Sequence, residues 1–171
     1  LDNEIKALVA AATKASSKAG GKASAPSQKI VVDPTLGSSF AKNKGKLPWP
    51  VDGPVTEKFG QTFHPVFTNV KIRENKGVNI ACDPDTQVQC IFEGTIIKVF
   101  TLAGYNKCIL VQHGEFFTLY SKMKTVFVTA GDKVGTGKKI GIVDTLEGTT
   151  EIHFELWKGQ TPQNPELWLR Q

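Results

Sequence analysis

Three histidines, three cysteines and one methionine are all that 171 residues contain, and these shortages narrow the chemistry open to the chain. Cys82, Cys90 and Cys108 are odd in number, form no C-x-x-C pair and each sit in an apolar run. They read as small buried hydrophobes in preference to a disulfide or metal role. No apolar run reaches the roughly eighteen residues that a membrane-spanning helix needs. An initiator methionine and a signal peptide are also missing before Leu1, so the sequence reads as a fragment with any targeting segment out of view. The net charge of +5 and pI near 9.1 suit an anionic polymer or lipid headgroups as partners. Nucleic acid is set aside, because the lysines are scattered and neither an RNA-binding aromatic signature nor zinc-finger spacing accompanies them.

What the chain does have is glycine, proline and short β-type runs. Sixteen Gly and nine Pro punctuate stretches rich in Val, Ile, Phe and Thr, which predicts an all-β domain with an antiparallel sandwich or open barrel. The expected strands are Thr95 to Phe100, Cys108 to Gln112, Phe116 to Tyr120, Lys139 to Val143 and Ile152 to Trp157. Gly94, Gly104, Gly114, Gly131 and Gly148 are expected at turns. The run VFVTAGDKVGTGKKIGIV (126–143) is expected to reverse twice around Val134.

The first residues differ in character. Leu1, Ile5, Leu8, Val9 and Ala12 recur at helical spacing, so residues 1–18 read as an amphipathic helix, a coiled-coil stub or a single surface helix. A Gly/Ala/Ser/Lys-rich tether follows. The expected organisation is residues 1–28 as helix and tether, 29–46 as a connector with a short helix over Pro34 to Lys42 opening at Asp33, and 47–171 as the β domain.

Five landmarks then occur in order: FG and HPV within Phe59 to Val66, NKGVNIA (75–81), HGEFFTLYSKM (113–123), GDKVGTGKKIG (131–141) and EIHFEL (151–156). They resemble the LytM or lysostaphin-type zinc metallopeptidases. The resemblance implies a β-sandwich with a groove over a zinc site that cleaves peptidoglycan cross-links. In active members a His and an Asp stand in the second landmark, a Tyr-x-His ends the third, and the fifth reads His-x-His-Phe-Glu. Carried over, the resemblance puts Asn75 at the first ligand position, Asn79 at the carboxylate position and His153 at the third. It puts Lys122 and Glu151 where the proton-handling histidines belong.

That pattern implies loss of the metal and of catalysis. Zinc sites use thiolate, imidazole or carboxylate donors, and a catalytic site needs three to acidify its water; two neutral amides and a nearby ammonium are a poor substitute. His64, His113 and His153 are the only histidines, too few for the active-site set in any alignment. His64 and His113 read as residues hydrogen-bonded locally at loop or strand ends. Lys122 and Glu151, facing one position, are expected to form an ion pair. No cofactor is expected.

The approach FAKNKGKLPWPVDGPVTEKFG and the ending IHFELWKGQTPQNPELWL resemble EnvC-type murein-hydrolase activators of Gram-negative bacteria. Those place a coiled coil ahead of a degenerate LytM domain that switches on a periplasmic cell-wall amidase during daughter-cell separation. The resemblance implies a cell-wall amidase as partner, with peptidoglycan itself and a coiled-coil partner of residues 1–18 as further candidates, in the periplasm or cell envelope. The candidate partner groove is Arg73, Asn75, Lys76, Asn79, Tyr120, Lys122, Glu151 and His153. Val78, Ile80, Tyr120 and Ile152 are its expected floor, and Arg73, Lys76 and Lys122 its rim. Residues 1–18 are expected either to dock over that groove as a restraint or to be coiled-coil stub alone. Two alternatives stand beside this reading: a peptidase with a rebuilt site using Glu151 and His153, and a peptidoglycan-binding module.

Overall fold

The computed structural model describes residue 7 and residues 34–63, 66–67, 71–102, 104–159 and 161–170. The helix and tether expected over 1–28 lie outside the described residues, residue 7 apart, as do Asp33 and His64. The short helix expected over Pro34 to Lys42 is α1 (Pro34–Lys42), with Lys42 in its last turn, where a cation suits the helix dipole. The strands follow as β1 (Val55–Glu57), β2 (Gly60–Phe63), β3 (Lys71–Asn75), β4 (Val78–Ala81), β5 (Gln87–Gln89), β6 (Gly94–Leu102) and β7 (Asn106–His113). After them come β8 (Phe116–Val126), β9 (Lys133–Val134), β10 (Lys139–Val143), β11 (Thr145–Leu146), β12 (Thr149–Lys158) and β13 (Thr161–Gln163).

The architecture is the expected all-β one. An open antiparallel sheet runs β1-β4-β12-β8-β7-β6-β9, with β10 joining β5 to β8, β11 and β13 pairing β12, and β2 and β3 forming a separate hairpin. The central turn shows how sequence sets register. His113 opposes Phe116, so Gly114 and Glu115 alone close β7 onto β8, and Gly114 takes the positive φ of 69° that such a tight hairpin demands.

Alternation along β7, β8 and β12 sorts apolar side chains onto two faces, as a strand period of two dictates. Ile109, Val111, Phe116, Tyr120, Ile152, Phe154 and Leu156 join the main core. Cys108, Leu110, Phe117, Leu119 and Trp157, their immediate neighbours, form a second cluster on the other face. Both faces of the central strands are therefore buried, and the sheet is a rigid platform. One end of the main core is closed by α1: Phe40, fully buried, stacks at 4.7 Å on Phe116 and 5.0 Å on His113, with Trp168 at 5.5 Å.

One expectation needs correcting. Gly94 is not a turn residue; it opens β6 opposite Val134, and a Cβ there would lie 2.4 Å from the Gln112 carbonyl oxygen, so close strand approach is what requires glycine. The two reversals expected around Val134 are present, closed by Asp132 N–H to the Thr129 carbonyl and Lys138 N–H to the Gly135 carbonyl. β9 pairs with β6 whereas β10 pairs with β5 and β8, so the two strands join different ladders.

Candidate functional site

On the second face, β4 and β12 run antiparallel with Asn79 opposite His153, so their side chains share one side of the sheet. His153 Nδ1 lies 2.6 Å from Asn79 Oδ1, and Nε2 lies 3.0 Å from Glu155 Oε2. The Asn79 amide orientation follows from its other contacts. Its Nδ2 donates to Glu57 Oε2 at 3.2 Å and Glu151 Oε1 at 3.4 Å; carboxylates only accept, so the amide oxygen must face the imidazole. Glu155 is fully buried and accepts a second bond from Trp157 Nε1 at 3.1 Å. The ring of Tyr105, 5.5 Å centroid to centroid, covers His153.

Lys122 reaches the same face because β8 bulges there. Ile109 opposes Tyr120 but Lys107 opposes Met123, so β8 carries an extra residue, and Lys122 absorbs it with φ of 66°, an uncommon conformation for a lysine. The main chain holds it at both ends: its N–H donates to the Tyr105 carbonyl at 2.7 Å and its carbonyl accepts from Asp144 N–H at 2.9 Å. The ammonium then meets Glu151 Oε1 at 2.7 Å, with the two side chains 18% and 16% exposed, and stands over the Tyr105 ring at 5.9 Å. The ion pair expected from the sequence is present. Thr56 Oγ1 donates to Glu151 Oε2 at 3.0 Å. Burial alone would push the Glu151 carboxyl up; the Lys122 hydrogen bond and charge, the Thr56 hydroxyl and the His153 ring outweigh it and hold it below the usual carboxylate range.

Asn75 ends β3 and is 8% exposed. Its Oδ1 accepts from Gly77 N–H at 3.2 Å, and its Nδ2 is buried without a hydrogen-bond partner. Gly77 packs flat on β12: a Cβ there would lie 2.1 Å from the Phe154 carbonyl oxygen and 2.7 Å from Glu155 Cγ. The Asn75–Gly77 turn thus rests against the Glu155 end of the network.

These donors do not fit a catalytic zinc. Of the three positions that the resemblance assigns to ligands, two carry amides, both nitrogens of the one imidazole face oxygen partners, and an ammonium stands close by. Among the described residues no group of three or more His, Cys, Asp or Glu is placed to hold a metal.

Residues 73–165 match peptidase family M23. The chain belongs to this family. It is 33% identical over 138 residues to an uncharacterized protein of Neisseria meningitidis serogroup B, covering 77% of this chain and 21% of that protein. It is 29% identical over 127 residues to the murein hydrolase activator NlpD of Salmonella typhimurium, covering 72% of this chain and 31% of NlpD. Among solved structures, Csd3 of Helicobacter pylori superposes with a TM-score of 0.65 at 27% identity, over 73% of this chain and 35% of Csd3. The chain therefore spans less than a third of the length of the curated relatives named here.

Against the M23 landmarks, the structure brings together Asn79, Lys122, Glu151 and His153 and sets Asn75 beside Glu155. It separates Tyr120 from them. Tyr120 points to the opposite face, fully buried, its hydroxyl taking Ile91 N–H at 3.1 Å and lying 3.3 Å from Thr118 Oγ1; burial pushes its pKa up. Val78, Ile80 and Ile152, the other expected floor residues, are also fully buried in the main core. The period of two that puts Asn79 and His153 in the site puts these four outside it. Arg73 pairs through its backbone with Thr62 of β2, and Lys76 lies partly buried in the turn after β3.

Glu155, Trp157, Thr56, Glu57 and Tyr105 join the same network but were not picked out by sequence. For Glu155 and Trp157 a signal existed, since they follow His153 at steps of two on one strand. Thr56 and Glu57 arrive through the β1–β4 register, which opposes Glu57 to Asn79, and nothing local announces that. His113, by contrast, is where local bonding was expected: Nδ1 is 2.7 Å from the Glu93 carbonyl and Nε2 2.8 Å from Thr118 Oγ1. Cys90 and Cys108 are buried as expected, whereas Cys82 is partly exposed.

Proposed function

We propose that this chain is a non-catalytic M23 domain of the cell envelope that activates a peptidoglycan amidase by binding it. The observation that carries the reading is the Lys122–Glu151 pair at 2.7 Å, standing where the family's proton-handling histidines belong, beside a His153 whose two nitrogens are both engaged. A site arranged this way offers, among the described residues, no three-donor set to a metal and no free imidazole to a water, yet Lys122 and Glu151 still reach the surface at the edge of a largely buried polar network. The relative NlpD, named as a murein hydrolase activator, supports the same direction. The contact surface is Arg73, Asn75, Lys76, Asn79, Lys122, Glu151 and His153, without Tyr120. The N-terminal segment restrains access to it or carries a coiled-coil partner.

The test is dye release from labelled sacculi by each candidate amidase of the source organism, with the full chain and with residues 1–28 deleted, and zinc content measured on the same preparation. Release that requires both proteins supports activation. Release by the chain alone with stoichiometric zinc would establish a rebuilt peptidase instead, and binding to sacculi with no effect on any amidase would establish a wall-binding module.

A further inference from the structure

The second face of the sheet is buried, and the described elements do not account for its cover. Cys108, Leu110, Phe117, Leu119 and Trp157 are at most 1% exposed, and Ile97, Phe100, Leu102 and Tyr105 rim them. The register sets them side by side: Phe100 opposes Cys108, Leu110 opposes Leu119 and Phe117 opposes Trp157. All come from β6, β7, β8, β12 or the β6–β7 turn. Side chains on one face of one sheet shield each other's flanks but not their tips, so exposure this low requires a second layer.

Two described elements are excluded as that layer. α1 packs through Phe40 on Phe116 and His113, on the main-core side. The β2–β3 hairpin pairs with no other strand and leads into β4, four strand spacings or about 19 Å from β6. Its strands of four and five residues reach only about 13–16 Å, and Val66 and Phe67 between them are 74% and 61% exposed.

Ahead of α1 the sequence holds two apolar sets, the stripe Leu1, Ile5, Leu8, Val9 and Ala12 and the run Ile30 to Val32. The run directly precedes α1 and is tied to that helix's side of the sheet. The stripe falls within roughly 100° of arc at 3.6 residues per turn. Ala7 is helical and exposed, and it stands roughly 140° from the centre of that arc. That is the solvent side of a helix whose stripe faces the protein. Twelve helical residues run about 18 Å, enough to cross the about 14 Å from β12 to β6. The chain between this segment and Pro34 spans up to about 70 Å extended, so the tether does not limit placement, and it keeps the helix at high local concentration.

We infer that the second face is an intramolecular docking surface for an amphipathic helix of residues 1–12, whose Ile5, Leu8 and Val9 seat on Leu119, Trp157 and their neighbours. The stripe is then used within the chain and is not left for a coiled-coil partner. Tyr105 belongs to the rim and also covers His153, and Trp157 donates to Glu155, so the docked helix borders the polar network. The inference concerns the chain alone and holds with or without amidase activation.

For the test, the full chain is labelled with 5-fluorotryptophan, and the Trp157 resonance, assigned with W157F, is followed by 19F NMR in H2O and in D2O. The wild type is expected to show no solvent isotope shift at Trp157, I5D/L8D a measurable one, and A7D, on the exposed side of the same helix, none. A synthetic peptide of residues 1–18 added to I5D/L8D is expected to restore the wild-type signal. The Trp49 and Trp168 resonances report folding, and L8A/V9A, a milder pair expected to shift Trp157 less and in the same sense, is decisive should I5D/L8D not fold. An unmoved Trp157 in the folded stripe variants, an equal response to A7D, or a peptide without effect would overturn the inference. A response confined to I30D/V32D would overturn it by assigning the cover to that run, and a wild-type signal that changes on dilution would do so by revealing a second copy as the occupant. Activation of an amidase with Trp157 unmoved would sink the docking alone, and failure to activate any amidase with the Trp157 response intact would sink the activator reading alone.

Discussion

Acidification should destabilise this domain through His113, at the β7–β8 turn. Its ring is fully buried between Phe40 and the β7–β8 turn, and burial lowers its pKa to about 4, against a partial opposing effect of the Glu93 carbonyl. The unfolded chain binds the proton near 6.5, so between about 6.5 and 4 the unfolded state holds more protons than the native one. Stability is fully present above 6.5 and is lost as pH falls toward 4. With those two values the loss between pH 7.5 and pH 4.5 is about 2.5 kcal/mol, at 1.36 kcal/mol per unit. That is a large part of the roughly 5–15 kcal/mol holding a typical domain together. The assay is urea unfolding at both pH values, comparing wild type with H113Q. The variant is expected to be less stable by about 2 kcal/mol at pH 7.5 and nearly equal to wild type at pH 4.5, because it has no imidazole to charge. A wild-type midpoint that does not move with pH, or an H113Q protein that loses as much stability as wild type, would refute the buried neutral histidine.

Three other perturbations probe the site and its support. K122M leaves Glu151 without its cation and is expected to destabilise by about 1–2 kcal/mol, discounted for partial exposure, with the K122M/E151L pair recovering most of it in thermal melts. G77A drives a methyl into the Phe154 carbonyl and Glu155 and is expected to cost about 2–4 kcal/mol or abolish soluble expression; a neutral effect in urea unfolding would contradict the close packing of this turn on β12. Purified wild-type protein is expected to carry well under one zinc per chain by elemental analysis, and N75H/N79D/K122H/E151H to gain about one; stoichiometric zinc in the wild type would overturn the donor-set argument.

The strands were legible because each carries its own signal. β10 matches its expected bounds, and β6, β7, β8 and β12 contain theirs, since β-branched and aromatic runs between turn residues specify strands locally. Pairing partners were not legible in the same way: β9 and β10 are neighbours in sequence and belong to different ladders. The site split along the same line. Asn79, Lys122, Glu151 and His153 came from ordered motifs, and the structure joins them. Tyr120 failed because a motif records order along the chain whereas a strand reverses its face at every residue. Lys122 escapes that rule only through the bulge that gives it φ of 66°, and no propensity for a lysine at that position foretells a left-handed turn.

The residues at the positions that the resemblance assigns to a metal site are coupled by charge. Carboxylates left unpaired in a largely buried place are severely unfavourable. Here the carboxylate ligand position is the neutral Asn79, Glu151 has Lys122 at 2.7 Å, and Glu155, fully buried, has His153 at 3.0 Å. Each of these two carboxylates on β12 has a nitrogen partner in the same network, and the Asn79 amide joins the two pairs by giving its oxygen to His153 and its nitrogen to Glu151. Reverting any one position alone would break that balance: Asp at 79 would add an anion beside Glu151 and Glu57 without bringing a metal to offset it. Asn79, Lys122, Glu151 and His153 therefore act as one physical unit, in which hydrogen bonds and charge hold each side chain against the next.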